Sequence, residues 1–157
     1  MATVEVTFTP LPVHVRTARL VATAVARRSG VAESLLDEVR LAVGEACSRA
    51  VEAHLRHCPG EPIRVELTDD GEQFEVVVTD AVPEAADGPA AADGNGTGSH
   101  DTPAGHGSSF AVLDGEVPLR LPDGVGLAVI AGLADDVRIT SAGPGTSVTM
   151  SWKRRAG

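Results

Sequence analysis

Beyond Ser34, and as far as about His57, apolar residues recur at Leu36, Val39, Val43, Ala46 and Ala50, with Leu55 extending the series and charged residues between them. That period predicts one long amphipathic helix, whose apolar stripe has to be buried against another element. The next segments supply it. Residues 63–67 read I-R-V-E-L and residues 74–79 read F-E-V-V-V-T, on either side of Asp69-Asp70-Gly71. Two alternating runs about a turn of that composition predict a half-buried hairpin. A helix lying on a sheet is the minimum architecture this chain can adopt.

The other elements fit the same plan. Residues 4–9 (V-E-V-T-F-T) alternate as a strand and stop at Pro10. Residues 13–28 carry Val13, Ala18, Val21, Ala22 and Val25 at helical spacing, and Gly30 closes that helix. Ser34 followed by Asp37 resembles a capping box for the long helix, which Cys58-Pro59-Gly60 ends. Residues 125–133 read as a short helix, and residues 137–140 and 147–152 as a closing hairpin around Gly143-Pro144-Gly145. The expected fold is α+β: a single domain over residues 1–157, built as a two-layer sandwich with a mixed, mostly antiparallel sheet and helices on one face.

Composition narrows the function. The chain is 43% hydrophobic but only 3% aromatic, so its core is aliphatic. A formal net charge of −9 repels phosphates from most of the surface, which argues against direct nucleic-acid binding. The basic residues are arginines except Lys153, a bias expected of a GC-rich bacterial genome. Cys47 and Cys58 fall on one helix and its end, too far apart for a disulfide, and Cys47 reads as a small buried residue. No apolar run reaches the length of a membrane span, and no signal segment opens the chain, so a cytoplasmic protein is expected.

Residues 81–123 stand apart. From 81 to 107 they are mostly Ala, Gly, Asp, Pro, Ser and Thr, which bury too little to offset their ordering entropy. A mobile loop is expected there, with Phe110 to Leu121 docking part of it. His100 and His106 lack partners at ligand spacing, so no metal site is expected. Thr97, Ser99, Ser108 and Ser109 are phosphorylation candidates whose neighbours equally suit a plain linker.

Three segments carry the chemistry. Arg40 to Val51 reads R-L-A-V-G-E-A-C-S-R-A-V, residues 76–80 read V-V-V-T-D, and residues 123–137 read D-G-V-G-L-A-V-I-A-G-L-A-D-D-V, followed by Gly145-Thr146-Ser147-Val148. In order and spacing they resemble the ATP-binding boxes of the anti-sigma serine kinases of bacterial partner-switching systems, members of the histidine-kinase-like ATPase (Bergerat, or GHKL) superfamily. The resemblance implies a glutamate acting as general base at Glu45 and a magnesium-holding asparagine where this chain has Arg49. It places a purine-contacting aspartate at Asp80, phosphate-facing glycines at Gly124 and Gly126, and a threonine beside the purine at Thr146.

ATP with Mg²⁺ is the cofactor set this implies, but a guanidinium offers only donors and cannot ligate the cation. Arg49 also stands one helical turn after Glu45, where the two can pair. An ordinary Glu–Arg helix pair therefore remains an alternative at these positions, as does plain turn chemistry for Gly124-Val125-Gly126. After Asp80, Ala81-Val82-Pro83 replace the usual glycines, and His54 comes one residue later than a histidine of the family.

The resemblance also implies partners: an alternative sigma factor, and an anti-anti-sigma antagonist of the STAS type competing for an overlapping surface. Homodimers through a sheet edge are common in the family. Arg19, in T-A-R-L, takes the place of the partner-contacting arginine, with Arg16 beside it on the same helix; a solvated helix face is the simpler account of both. The expected protein is an anti-sigma factor with weak or absent kinase activity. An active serine kinase and a decoy that binds only the antagonist are the alternatives.

Overall fold

The computed structural model describes residues 1–82, 109–111, 119–121, 125–143 and 145–154. Strand β1 (Ala2–Phe8) leads into helix α1 (Pro12–Arg28). After a single 3₁₀ turn (Glu33–Leu35) comes α2 (Leu36–His57), followed by β2 (Ile63–Asp69) and β3 (Gln73–Asp80). Two short strands, β4 (Ser109–Ala111) and β5 (Leu119–Leu121), precede α3 (Val125–Leu133) and the closing strands β6 (Asp136–Ala142) and β7 (Gly145–Lys153). The main sheet has the order β1-β2-β3-β7-β6. The sheet was expected to be mixed but mostly antiparallel, and all four of its pairings are antiparallel. The fold is the expected α+β sandwich.

Alternation along the strands decides which face is covered. Ile63, Val65 and Leu67 of β2, Phe74, Val76 and Val78 of β3, and Val148, Met150 and Trp152 of β7 are all buried in one core. The same core takes Val15, Ala18, Ala22 and Ala26 from α1, and Val39, Ala42, Val43, Ala46, Cys47 and Ala50 from α2. Small residues on both helices let them lie close together, and α3 adds Ile130. Burial pushes the Cys47 thiol up to about 12, so it stays protonated as an apolar filler. Neither cysteine is in a disulfide.

Helix ends follow local chemistry, with one exception. Gly30 has φ +81°, and the Gly30 and Val31 N–H groups donate to the Arg27 and Ala26 carbonyls at 3.1 and 3.0 Å. This is a Schellman closure, which a left-handed glycine makes possible. The capping box at Ser34 does not form: Ser34 lies inside the 3₁₀ turn, Leu35 occupies the cap position, and no side chain caps α2. Asp37 instead pairs with Arg40 at 2.7 Å. Leu55, expected on the buried stripe, is exposed, because the stripe drifts around the helix to Ala53 and His54 in its last turn. In the β2–β3 turn Asp70 Oδ1 accepts the Glu72 and Gln73 N–H groups, and Gly71 takes φ +92°.

Of the expected mobile loop at 81–123, most lies outside the described residues. Within it β4 and β5 pair antiparallel, and β4 lies against α2. Among the described residues no helix is long and apolar enough to cross a membrane.

Candidate functional site

The antiparallel register of β3 and β7 sets Asp80 directly opposite Thr146. This closeness depends on Gly145, because a Cβ built there would overlap the backbone carbonyl of Asp80. Of the candidates, Asp80, Thr146 and Arg49 are brought together.

Asp80 is engaged on both carboxylate oxygens. Oδ1 accepts the Val82 N–H at 2.8 Å and the Thr146 N–H at 3.3 Å. Oδ2 lies 3.7 Å from a guanidinium nitrogen of Arg49, which reaches across from α2. The Thr146 hydroxyl donates to the Val82 carbonyl at 2.9 Å. Val82, Thr146 and Asp80 are all buried. The ion pair given to Arg49 thus crosses from helix to strand, a contact that helical spacing alone does not reveal. Glu45, one turn earlier on α2, is also buried, at 1% exposure.

Burial raises the Asp80 carboxyl above the ordinary aspartate value; the Val82 N–H, the Arg49 guanidinium and the Thr146 N–H pull it partly back. A folded-state value above the unfolded one, near ~3.9, means stability falls as pH rises through the interval between them. Arg49→Gln removes one of the groups that favour the carboxylate, so Asp80 should titrate at a still higher pH. The variant's loss of stability should be about 1–3 kcal/mol at pH 7 and shrink toward pH 4. Carbon-detected NMR titration of the carboxyl with urea melts at both pH values checks this; an unmoved titration would remove Arg49 from the Asp80 environment.

Two residues at this site gave little signal in the sequence. His54, fully buried, accepts the Ala81 N–H on Nε2 at 2.9 Å, while Nδ1 meets the Glu61 carbonyl at 2.9 Å. Because the amide can only donate, Nε2 is the acceptor and Nδ1 carries the hydrogen. Val82 was visible only as one of three residues standing where the family has glycines.

The remaining candidates are placed differently. Gly124 lies outside the described residues, as do His100, His106, Thr97, Ser99 and Ser108. Gly126 sits in the first turn of α3, and α3 packs on α2. Arg16 is exposed on α1. Arg19, expected to be exposed, is 4% exposed. Its stem lies over Gly44 of α2, where a Cβ would come within 2.7 Å of Arg19 Cδ. The missing side chain at Gly44 is what lets a long arginine fold into the α1–α2 interface. Among the described residues no cluster of His, Cys, Asp and Glu is arranged to hold a metal.

The comparisons bear on this geometry. A solved structure of the RsbU and RsbW domains of Rv1364c from Mycobacterium tuberculosis superimposes with a TM-score of 0.62 at 18% identity, covering 99% of this chain and 34% of that one. The present chain spans about a third of that structure's length, and at this identity the likeness concerns the fold. No curated protein sequence matches the chain. The family model of the histidine kinase-like ATPase domain matches residues 8–152. With that span matched and its sheet and helices in place, the chain belongs to the histidine kinase-like ATPase domain family.

Proposed function

We propose that this chain is a partner-switching regulator: it sequesters an alternative sigma factor and releases it to a STAS-type anti-anti-sigma protein, with little or no phosphoryl transfer of its own. The observation that carries this reading is the Arg49–Asp80 ion pair. A guanidinium stands where the resemblance calls for a neutral amide to hold Mg²⁺, and it offers no lone pair to a cation. Its partner is the very carboxylate that would receive the purine. The residues present do not fit a magnesium-bound nucleotide. What supports a protein-binding role is the order of the three boxes, together with a fold like that of a structure containing an RsbW domain.

Helix α1 suits a macromolecular partner. It contains no acidic residue, in a chain of net charge −9. Its outer side presents Arg16, Arg27 and Arg28 beside Val13 and Leu20, which are 68% and 53% exposed. Exposed apolar anchors flanking Arg16, with Arg28 at the helix end and Arg27 held by Glu33 at 3.3 Å, favour an acidic amphipathic surface. Since Arg19 is folded inward, Arg16 is the residue placed to fork onto a partner carboxylate. Changing Arg19 should disturb the α1–α2 packing before it disturbs binding. The edge strands β1 and β6 are where a homodimer of the kind the resemblance implies would form.

The deciding experiment incubates the full chain with labelled ATP, Mg²⁺ and the antagonist. No transfer of label is expected; efficient transfer defeats this reading and favours an active serine kinase. Affinity capture from the host should return sigma-factor peptides, whereas antagonist peptides without sigma would mark a decoy. Arg16→Glu should weaken partner binding by about tenfold or more, measured by calorimetry. Unchanged affinity would take the α1 face out of the interface.

A further inference from the structure

Val82, just beyond the end of β3, makes two hydrogen bonds. Its N–H goes to Asp80 Oδ1 at 2.8 Å and its carbonyl receives the Thr146 hydroxyl at 2.9 Å. A donor and an acceptor side by side, facing a carboxylate and a hydroxyl, reproduce the hydrogen-bonding edge of a 6-aminopurine, with its exocyclic amine and adjacent ring nitrogen. Both side chains that the proposed reading assigns to the purine are thus engaged by the chain's own backbone. The Val82 side chain is 1% exposed, so burial anchors this arrangement.

His54 secures it from behind. Its ring is fully buried and joins the connection between α2 and β2, through the Glu61 carbonyl, to the Ala81 N–H. The segment 80–82 is therefore held by His54 at Ala81, and by Asp80 and Thr146 at Val82.

We infer that Ala81 and Val82 form a built-in ligand that closes a cryptic purine pocket, with Val82 as the plug and His54 as the positioning residue that keeps it seated. The inference rests on the proposed reading of Asp80 and Thr146, and it goes further in naming the ligand class and the residues that exclude it. It also separates two lesions. Arg49 bears on the metal and, through Asp80 Oδ2, on the carboxylate as well; Val82 and His54 hold the backbone that covers Oδ1 and the Thr146 hydroxyl.

Adenosine tests this directly, since it has no phosphates and needs no metal. It is titrated into the full chain by saturation-transfer NMR for wild type and for Val82→Gly, Val82→Ala, His54→Ala and Arg49→Asn, with circular dichroism confirming folding. Val82→Gly keeps the backbone donor and acceptor but removes the buried anchor and frees the backbone, so the plug leaves more readily. It should bind adenosine at least about tenfold tighter than wild type. Val82→Ala and His54→Ala should show smaller gains, and Arg49→Asn, which frees Asp80 Oδ2 but leaves Val82 seated, should gain less than Val82→Gly. In wild type the Ala81 and Val82 amides should be protected from hydrogen exchange, and in His54→Ala the Ala81 amide should lose that protection.

Wild-type affinity equal to that of Val82→Gly overturns the inference. So does a folded Val82→Ala with no gain alongside a Val82→Gly that gains nothing or fails to fold. Exchange of both wild-type amides at the rate of an open loop also overturns it. Labelling of an antagonist by the wild-type chain would instead sink the proposed function, so the two failures are distinguishable.

Discussion

Replacing Gly145 with alanine should cost the fold about 3 kcal/mol or more and lower Tm by roughly 6–12 °C. The added Cβ would overlap the Asp80 carbonyl and press on Ala81 Cα. Both opposing groups are backbone, so no rotamer change relieves the overlap. Relief requires β7 to move away from β3, and that breaks the Asp80–Thr146 pairing on which the site depends. Loss of stability should therefore come with loss of the Thr146 N–H bond to Asp80, visible as a shift of the Thr146 amide resonance. Gly60→Ala is the control, since nothing lies within 4 Å of a Cβ there; it should change stability by less than about 0.5 kcal/mol. A Gly145→Ala protein as stable as the Gly60→Ala control would refute the close approach of the two strands.

Trp152→Ala should be comparably severe, at about 3–5 kcal/mol. The indole is completely buried, and its ring centroid lies 6.3 Å from that of Phe74. Its Nε1–H donates to the Leu133 carbonyl at 2.9 Å, satisfying an orphan group at the C-terminal end of α3. Phe74 is already buried in the same core and would have to leave its own packing to fill the space. Trp152→Phe divides the effect: most of the ring's burial is retained and the bond to Leu133 is lost, so about 1–2 kcal/mol is expected. Urea denaturation followed by far-ultraviolet circular dichroism measures both. If phenylalanine proved as damaging as alanine, the bond to Leu133 would outweigh the packing.

Elements that depend on period were legible without coordinates. The stripe from Leu36 to Ala50 and the two alternating runs about Asp70 came out as α2, β2 and β3, because each follows from which neighbours share a face. The end of α1 was legible too, since Gly30 adopts a backbone conformation that other residues rarely take. The start of α2 was not. Ser34 has the chemistry of a cap, but the 3₁₀ turn places it one position too early for that bond.

At the site the division is sharper. Asp80 and Thr146 could be nominated one by one from residue type and motif, and so could Arg49. That Asp80 faces Thr146 comes from a strand register that joins residues 66 apart in the chain. Local spacing sets Arg49 one turn after Glu45 but says nothing of Asp80, beside which its guanidinium stands. Arg19 shows the same thing in reverse: a charged residue expected outside is buried because Gly44, on another helix, has no side chain to keep it out.

Period, turn chemistry and residue type act over a few neighbours, and they sufficed for the main elements and the fold class; the groups proposed for the site came from the resemblance of three segments to a known family. Which of those groups meet, and whether they remain open to a ligand, depends on contacts between residues far apart in the chain. Those distances are set by how closely the small residues of two helices and one glycine of β7 allow the backbones to approach.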